Sequence, residues 1–199
     1  MTQLRVCGLD EVGRGALAGP LVAAAAILPD DFLDILGPLQ RFLRDSKTVP
    51  AAHRVEIAAL LSAHALALEV VVIPVREINR RGIGWANREA FFRLIERIEA
   101  DDYIVDGNLT PRVPRDRAAR VRCLVRADAA VPAVSAASIA AKVHRDDLMQ
   151  TLHPAFPMYG WESNVGYGTQ KHLSALREHG SSREHRTQFV RTALGLAPG

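Results

Sequence analysis

Residues 10–20, Asp-Glu-Val-Gly-Arg-Gly-Ala-Leu-Ala-Gly-Pro, lie between two apolar runs, 4–10 and 21–28. Runs of that length bounded by Gly and Pro read as strands, and their closeness predicts an antiparallel pair joined by a loop longer than a tight hairpin. Successive strand side chains point to opposite faces, so joint use of Asp10 and Glu11 at one site requires the strand to end or bulge near Asp10. Adjacent carboxylates at a strand end supply the hard oxygen ligands that a divalent cation such as Mg²⁺ takes. Gly13 and Gly15 allow close backbone approach to a ligand, and Arg14 between them carries forked donors suited to phosphate. The stretch therefore points to metal-dependent chemistry on a phosphodiester.

The remaining pattern alternates strands and helices. Thr48 and Pro50 open a helix, with Val55, Ala58, Leu61 and Ala65 at helical spacing. A β-branched run over 66–73 predicts a third strand, and a second helix covers about 84–99 with Phe91, Ile95 and Ile98 on one face. Tyr103-Ile104-Val105 forms a strand ending in Asp106-Gly107-Asn108, followed by a basic loop with Arg112, Arg115, Arg117 and Arg120. Another strand, 122–126, ends just before Asp128. Pro132 suits the first turn of a helix running to about Met149, with Ser135, Ser138, Lys142 and Arg145 on one polar stripe. The segment 153–169 reads as an ordered loop, Thr169 as the cap of a last helix and Gly180 as its stop. Together these predict one α/β domain over 1–199 with a mixed central sheet flanked by helices and a small helical C-terminal part from about 150.

Composition sets the class of partner. The net charge of +3 leans towards an anionic partner, and the three lysines, Lys47, Lys142 and Lys171, all fall in polar segments. Cys7 and Cys123 lie in apolar runs and read as core residues of a protein in a reducing cytosol. No long apolar stretch or basic leader is present, so the expectation is a cytoplasmic protein without membrane contact, acting as a monomer.

Acids at three strand ends, Asp10-Glu11, Asp106 and Asp128, carry the chemistry. One Asp after a strand is an ordinary turn residue, but several together repel one another unless cations neutralise them. Such a set predicts Mg²⁺ or Mn²⁺; two ions about 4 Å apart can activate water and stabilise a leaving oxygen. No His or Cys spacing fits zinc. His172, one turn inside the last helix, sits where a helix N-terminus favours phosphate.

The segments GLDEVGRGALAGPLVAAA, DSK, YIVDGN, SAASIAAKVHRD and GYGTQKHLSAL, in this order, resemble the bacterial ribonuclease HII family over nearly the whole chain. The resemblance implies a ribonuclease-H-like fold, cleavage of the RNA strand of RNA–DNA hybrids and incision 5′ of single ribonucleotides in duplex DNA. By the same resemblance Asp10, Glu11, Asp106 and Asp128 are the metal-binding catalytic acids. The Gly13-Arg14-Gly15 backbone, aided by Tyr167, recognises the ribose 2′-hydroxyl, while Ser46, Lys47, Thr169 and His172 hold phosphates. The chain departs from the family in having Arg126-Ala127 where Lys-Gly is usual and Ile78-Asn79 where Ile-Asp is frequent. Fold does not fix substrate, so the competing expectation is a metal-dependent, structure-specific DNA nuclease of resolvase type.

Overall fold

A computed structural model describes residues 4–44, 49–108 and 111–196. Among these, the strands β1 (Val6–Val12), β2 (Leu21–Ile27), β3 (Ala67–Ile73), β4 (Asp102–Asp106) and β5 (Val121–Leu124) form one mixed sheet in the order β3-β2-β1-β4-β5. β1 pairs antiparallel with β2 and parallel with β4, so the chain's first acids end a central strand. This is the ribonuclease-H-like α/β architecture expected from the sequence. No described helix is long and apolar enough to cross a membrane.

Helices cover both faces. In chain order they are α1 (Phe32–Leu36), α2 (Ala51–His64), α3 (Val75–Arg81), α4 (Ile83–Arg97), α5 (Ala127–Ala130), α6 (Pro132–Leu152), α7 (Trp161–Asn164), α8 (Gln170–His179) and α9 (Thr187–Ala193). β2 is buried along its whole length, and period 2 divides it cleanly. Leu21, Ala23, Ala25 and Ile27 join Cys7, Leu9 and the α4 residues Phe91, Leu94 and Ile95 in one core. Val22, Ala24 and Ala26 face the other way, against Ile57 and Leu61 of α2 and Ala137 and Ala141 of α6. Alanines on both partners let α6 lie close to the sheet.

Gly8 fixes where α6 begins. A Cβ there would stand 2.2 Å from the backbone of Ala133 and Val134, so only glycine admits the helix start against β1. Gly8 and Asp10 share a strand face, and α6 therefore runs from Gly8 past the Asp10 carboxyl.

Several expectations need correction. Asp128 does not end a strand; β5 stops at Leu124, and Asp128 lies in the single turn of α5. The polar stripe on α6 is divided by burial: Ser135 and Arg145 are both 0% exposed, whereas Ser138 and Lys142 are partly exposed. The segment 153–169 contains two 3₁₀ turns and α7, and α8 is not the last helix because α9 follows. Cys7 and Cys123 sit on strands and are in no disulfide, and burial pushes the Cys7 thiol up to about 12.

Candidate active site

The β1–β2 ladder is regular through Val12, so neither an early end nor a bulge turns Asp10 and Glu11 to one side. Asp10 faces α6, where Ser138 hydrogen-bonds its carboxyl. Glu11 faces α4, accepting from Asn87 Nδ2 at 3.3 Å, and Arg14 Nη1 lies 3.9 Å from its Oε1. Both nevertheless border one cavity, because each sits at the rim where β1 leaves the sheet. The cavity, of about 400 Å³, is lined by Asp10, Glu11, Gly13, Arg14, Gly15, Asp106 and Tyr167. Sequence reasoning had not assigned roles to Arg54, Ser138 and Lys142, which line it as well.

Burial dominates the electrostatics. It pushes Asp10 up to about 7; the Ser138 hydrogen bond opposes the rise, and the neighbouring Glu11 and Asp106 charges add to it. Glu11 is raised too, mainly by burial, with Arg14 pulling the other way. Asp106 Oδ1 accepts from the Ala127 N–H at 2.7 Å, tying the end of β4 to the turn that carries Asp128. That turn is entered through Arg126 at φ 60°, a left-handed conformation that costs a residue with a Cβ on the order of 1 kcal/mol. Asp128 is buried beside this connection and does not line the cavity.

Among the described residues, no three His, Cys, Asp or Glu side chains are gathered closely enough to hold an ion. The donor set still suits a hard cation. All the donors are carboxylate oxygens. Asp10 and Glu11 are raised partly by other carboxylates, and a cation would relieve that repulsion. The Asn87 Oδ1 beside Glu11 is buried without a hydrogen-bond partner, as an acceptor reserved for a cation's hydration shell would be.

The glycine loop is braced from behind by two arginines. Arg186 Nη1 donates to the carbonyls of Gly13 (2.6 Å) and Arg14 (3.1 Å), and its Nε donates to Gly19. Arg145 donates to the carbonyls of Pro20, Ala18 and Val165. Both are fully buried, and none of the acceptors is a carboxylate. Desolvation, with Arg145 close by, lowers Arg186 to about 9. Gly13 has φ 84°, and a Cβ on it would sit 2.1 Å from Arg145 Nε, so both backbone angle and space demand glycine. Asn79, the family departure, pins this bracing segment: its Nδ2 donates to the His185 carbonyl and its Oδ1 accepts from the Thr187 N–H.

Tyr167 is held by a chain of neutral imidazoles. The His172 Nδ1 must donate to the Tyr167 carbonyl at 2.9 Å, which leaves Nε2 as an acceptor. His185 Nε2 donates to it at 3.0 Å, and the His185 Nδ1 accepts from the Ser182 N–H. His172 is 0% exposed and outside the cavity lining, and it supports Tyr167 from within. Thr169 is exposed and caps α8, its hydroxyl accepting from the His172 N–H, and it too is outside the cavity lining. Ser46 and Lys47 lie outside the described residues.

Carboxylates at the ends of neighbouring parallel strands, beside a braced glycine loop, place the molecule among the ribonuclease-H-like enzymes. Residues 7–194 match the family model of ribonuclease HII. The chain is 45% identical over 195 residues to ribonuclease HII of Burkholderia thailandensis, covering 96% of this chain and 86% of that one. Its fold superposes on the ribonuclease H2 of Pyrococcus horikoshii with TM-score 0.76, at 25% identity, over 96% of this chain and 97% of the other. A PCNA:RNase HII complex from Archaeoglobus fulgidus gives TM-score 0.76 at 27% identity, over 92% and 93% of the two chains. A Bst-RNase HIII in complex with Mn²⁺ shares the fold at 22% identity, with TM-score 0.71 over 96% of this chain and 70% of that one. The chain belongs to the ribonuclease HII family and is a hydrolytic endoribonuclease.

Proposed function

We propose that the chain cuts the RNA strand of RNA–DNA hybrids and incises 5′ of single ribonucleotides in duplex DNA, leaving 3′-hydroxyl and 5′-phosphate ends. The observation that carries this reading is the orientation of the glycine loop. The carbonyls of Gly13 and Arg14 are turned inward to Arg186. The C=O and N–H of a trans peptide point in opposite directions, and the described residues contain no cis bond. The N–H groups of Arg14 and Gly15 therefore face away from Arg186, on a loop that borders the cavity. Outward N–H donors without a bulky side chain suit the ribose 2′-hydroxyl, the group that distinguishes RNA from DNA. Tyr167 borders the same cavity and offers a flat surface to the sugar at the junction.

Asp10, Glu11, Asp106 and Asp128 are the residues to hold Mg²⁺ or Mn²⁺. Two such ions, when bound, would lower the pKa of an attacking water and offset charge on the phosphoryl group and leaving oxygen. The protein's own part is positional. Ser138 orients the Asp10 carboxyl, Asn87 and Arg14 hold Glu11, and the Ala127 N–H keeps Asp106 in register with the Asp128 turn. Arg14, more than half exposed, is free to swing from Glu11 to a phosphate.

Asp10→Asn and Asp106→Asn should each lower hydrolysis of a hybrid by at least ~10³-fold, as loss of a charged group acting on the transition state does. Affinity for the hybrid should stay within a few-fold. Turnover near the unaltered rate in either variant, measured with Mg²⁺ or Mn²⁺ supplied, contradicts the site assignment.

A further inference from the structure

Six positions of α4 are buried, and five of them, Ala86, Ala90, Phe91, Leu94 and Ile95, pack into the core beneath the sheet. The sixth is Asn87, only 1% exposed. Its Nδ2 donates at 3.3 Å to Glu11 Oε1, from a residue 76 positions away in the chain. An ionised carboxylate only accepts, so the nitrogen must be the end of the amide that faces it. That direction turns Oδ1 away from Glu11, and Oδ1 is buried without a hydrogen-bond partner. A stranded buried acceptor destabilises a fold, whereas a leucine of similar size among these apolar neighbours would not. Stability therefore does not account for an asparagine at this place.

We propose that Asn87 is a positioning residue of the metal site, fixing the Glu11 carboxylate for the cation from the α4 side of the sheet. The proposal rests on the functional reading above, since it takes Glu11 as a metal-holding acid. Glu11 needs such a holder. The regular β1 ladder turns it to the face opposite Asp10, so the two acids meet one cavity only at the rim. Arg14 cannot serve permanently: its Nη1 lies 3.9 Å from the same Oε1, but its side chain is 55% exposed and, on that reading, leaves for a phosphate. Asn87 is buried on a helix and stays. Its amide is also neutral. A lysine or arginine there would hold the carboxylate as well, but its charge would offset the one that attracts a cation. A hydrogen bond from behind a ligating carboxylate sets its orientation, and loss of such a bond lowers metal affinity about 10- to 100-fold.

Metal affinity and stability should then move in opposite directions. The test is Mn²⁺ binding to the full chain without nucleic acid, read from the electron paramagnetic resonance of the free aqua ion, beside thermal unfolding of the metal-free protein. Asn87→Leu removes the donor and the stranded acceptor together with little change of volume. It should raise the Mn²⁺ dissociation constant about tenfold and leave the Tm equal to or above that of the unaltered protein. A residue that serves only the fold gives the reverse, a lower Tm with an unchanged dissociation constant, and that result would overturn the proposal. So would fewer Mn²⁺ sites of unchanged affinity, the mark of a variant that is partly unfolded. Asn87→Ala adds no bulk and must show the same loss of affinity, which keeps the test open if the leucine is not accommodated. Glu11→Gln separates the two readings. If it binds Mn²⁺ as tightly as the unaltered protein, Glu11 does not hold the metal and the proposal falls with that reading. If Glu11→Gln weakens binding while both Asn87 variants do not, the proposal alone fails.

Discussion

Asp10 is the residue on which the site's charge balance turns. Burial first, and then the charges of Glu11 and Asp106, hold its carboxyl at about 7 against an ordinary 3.8. Metal-free protein near neutrality therefore carries a proton on Asp10 in a large fraction of molecules. A cation binding there must displace that proton, so metal affinity should rise with pH through the window from about 6 to 8. Calorimetric titration with Mn²⁺ at pH 7 in two buffers of different ionisation enthalpy should show proton release, and Asp10→Asn should abolish it. Identical heats in both buffers would place the raised carboxyl outside the metal site. For folding the sign is reversed in direction: the folded metal-free protein binds the proton more tightly than the unfolded chain. Asp10 therefore stabilises fully below 3.8, and its contribution is lost as pH climbs towards 7.

At the scale of elements, the segment after α7 acts as a rear wall for the glycine loop. Trp161 is fully buried against Tyr159, and both rings pack on the His172–His185 pair. Burial, and then the neighbouring His172, lowers His185 to about 4 from 6.5, and burial lowers His172 as well. Both imidazoles are neutral at pH 7, as the hydrogen-bond directions require. A depressed histidine pKa means the unfolded chain binds the proton more tightly, so this stability is complete above 6.5 and is lost as pH falls towards 4. Thermal unfolding between pH 7 and 4 should show a Tm that falls more steeply in the unaltered protein than in His185→Gln. Equal slopes would mean that the pair does not titrate with folding. The same elements show where sequence reading stops. α8 was legible from Thr169 and Gly180, because a cap and a stop are local signals. The inward turn of Arg145 was not, because its acceptors at Ala18 and Pro20 lie more than a hundred residues away. Arg186 and the two histidines are the same case: no periodicity marks a buried cation whose partners are loop carbonyls. Asp128 was misread as a strand end because Val125 continues the apolar run of β5, although the ladder has already stopped at Leu124.

Over the whole molecule, the sheet brings residues from opposite ends of the chain to one rim. β1 contributes the first acids, β4 the third, α6 the Ser138 and Lys142 row, and the segment before α9 the arginine that holds the glycine loop. The mixed sheet and its acids were readable early because alternating apolar runs and paired carboxylates are short-range patterns. The gathering of Asp10, Glu11, Asp106, the glycine loop and Tyr167 around one cavity is long-range, and only the fold displays it. The central claim is that the cavity selects a ribose and cuts beside it. Its most direct test is a cleavage assay, with Mg²⁺ or Mn²⁺ supplied, on two DNA duplexes that differ only in one 2′-hydroxyl. The duplex with the ribonucleotide should be cut once, on its 5′ side, with a 3′-hydroxyl on the upstream fragment, and the all-DNA duplex should stay intact. Equal cutting of both duplexes, or cutting of either with the metal chelated, would contradict the account.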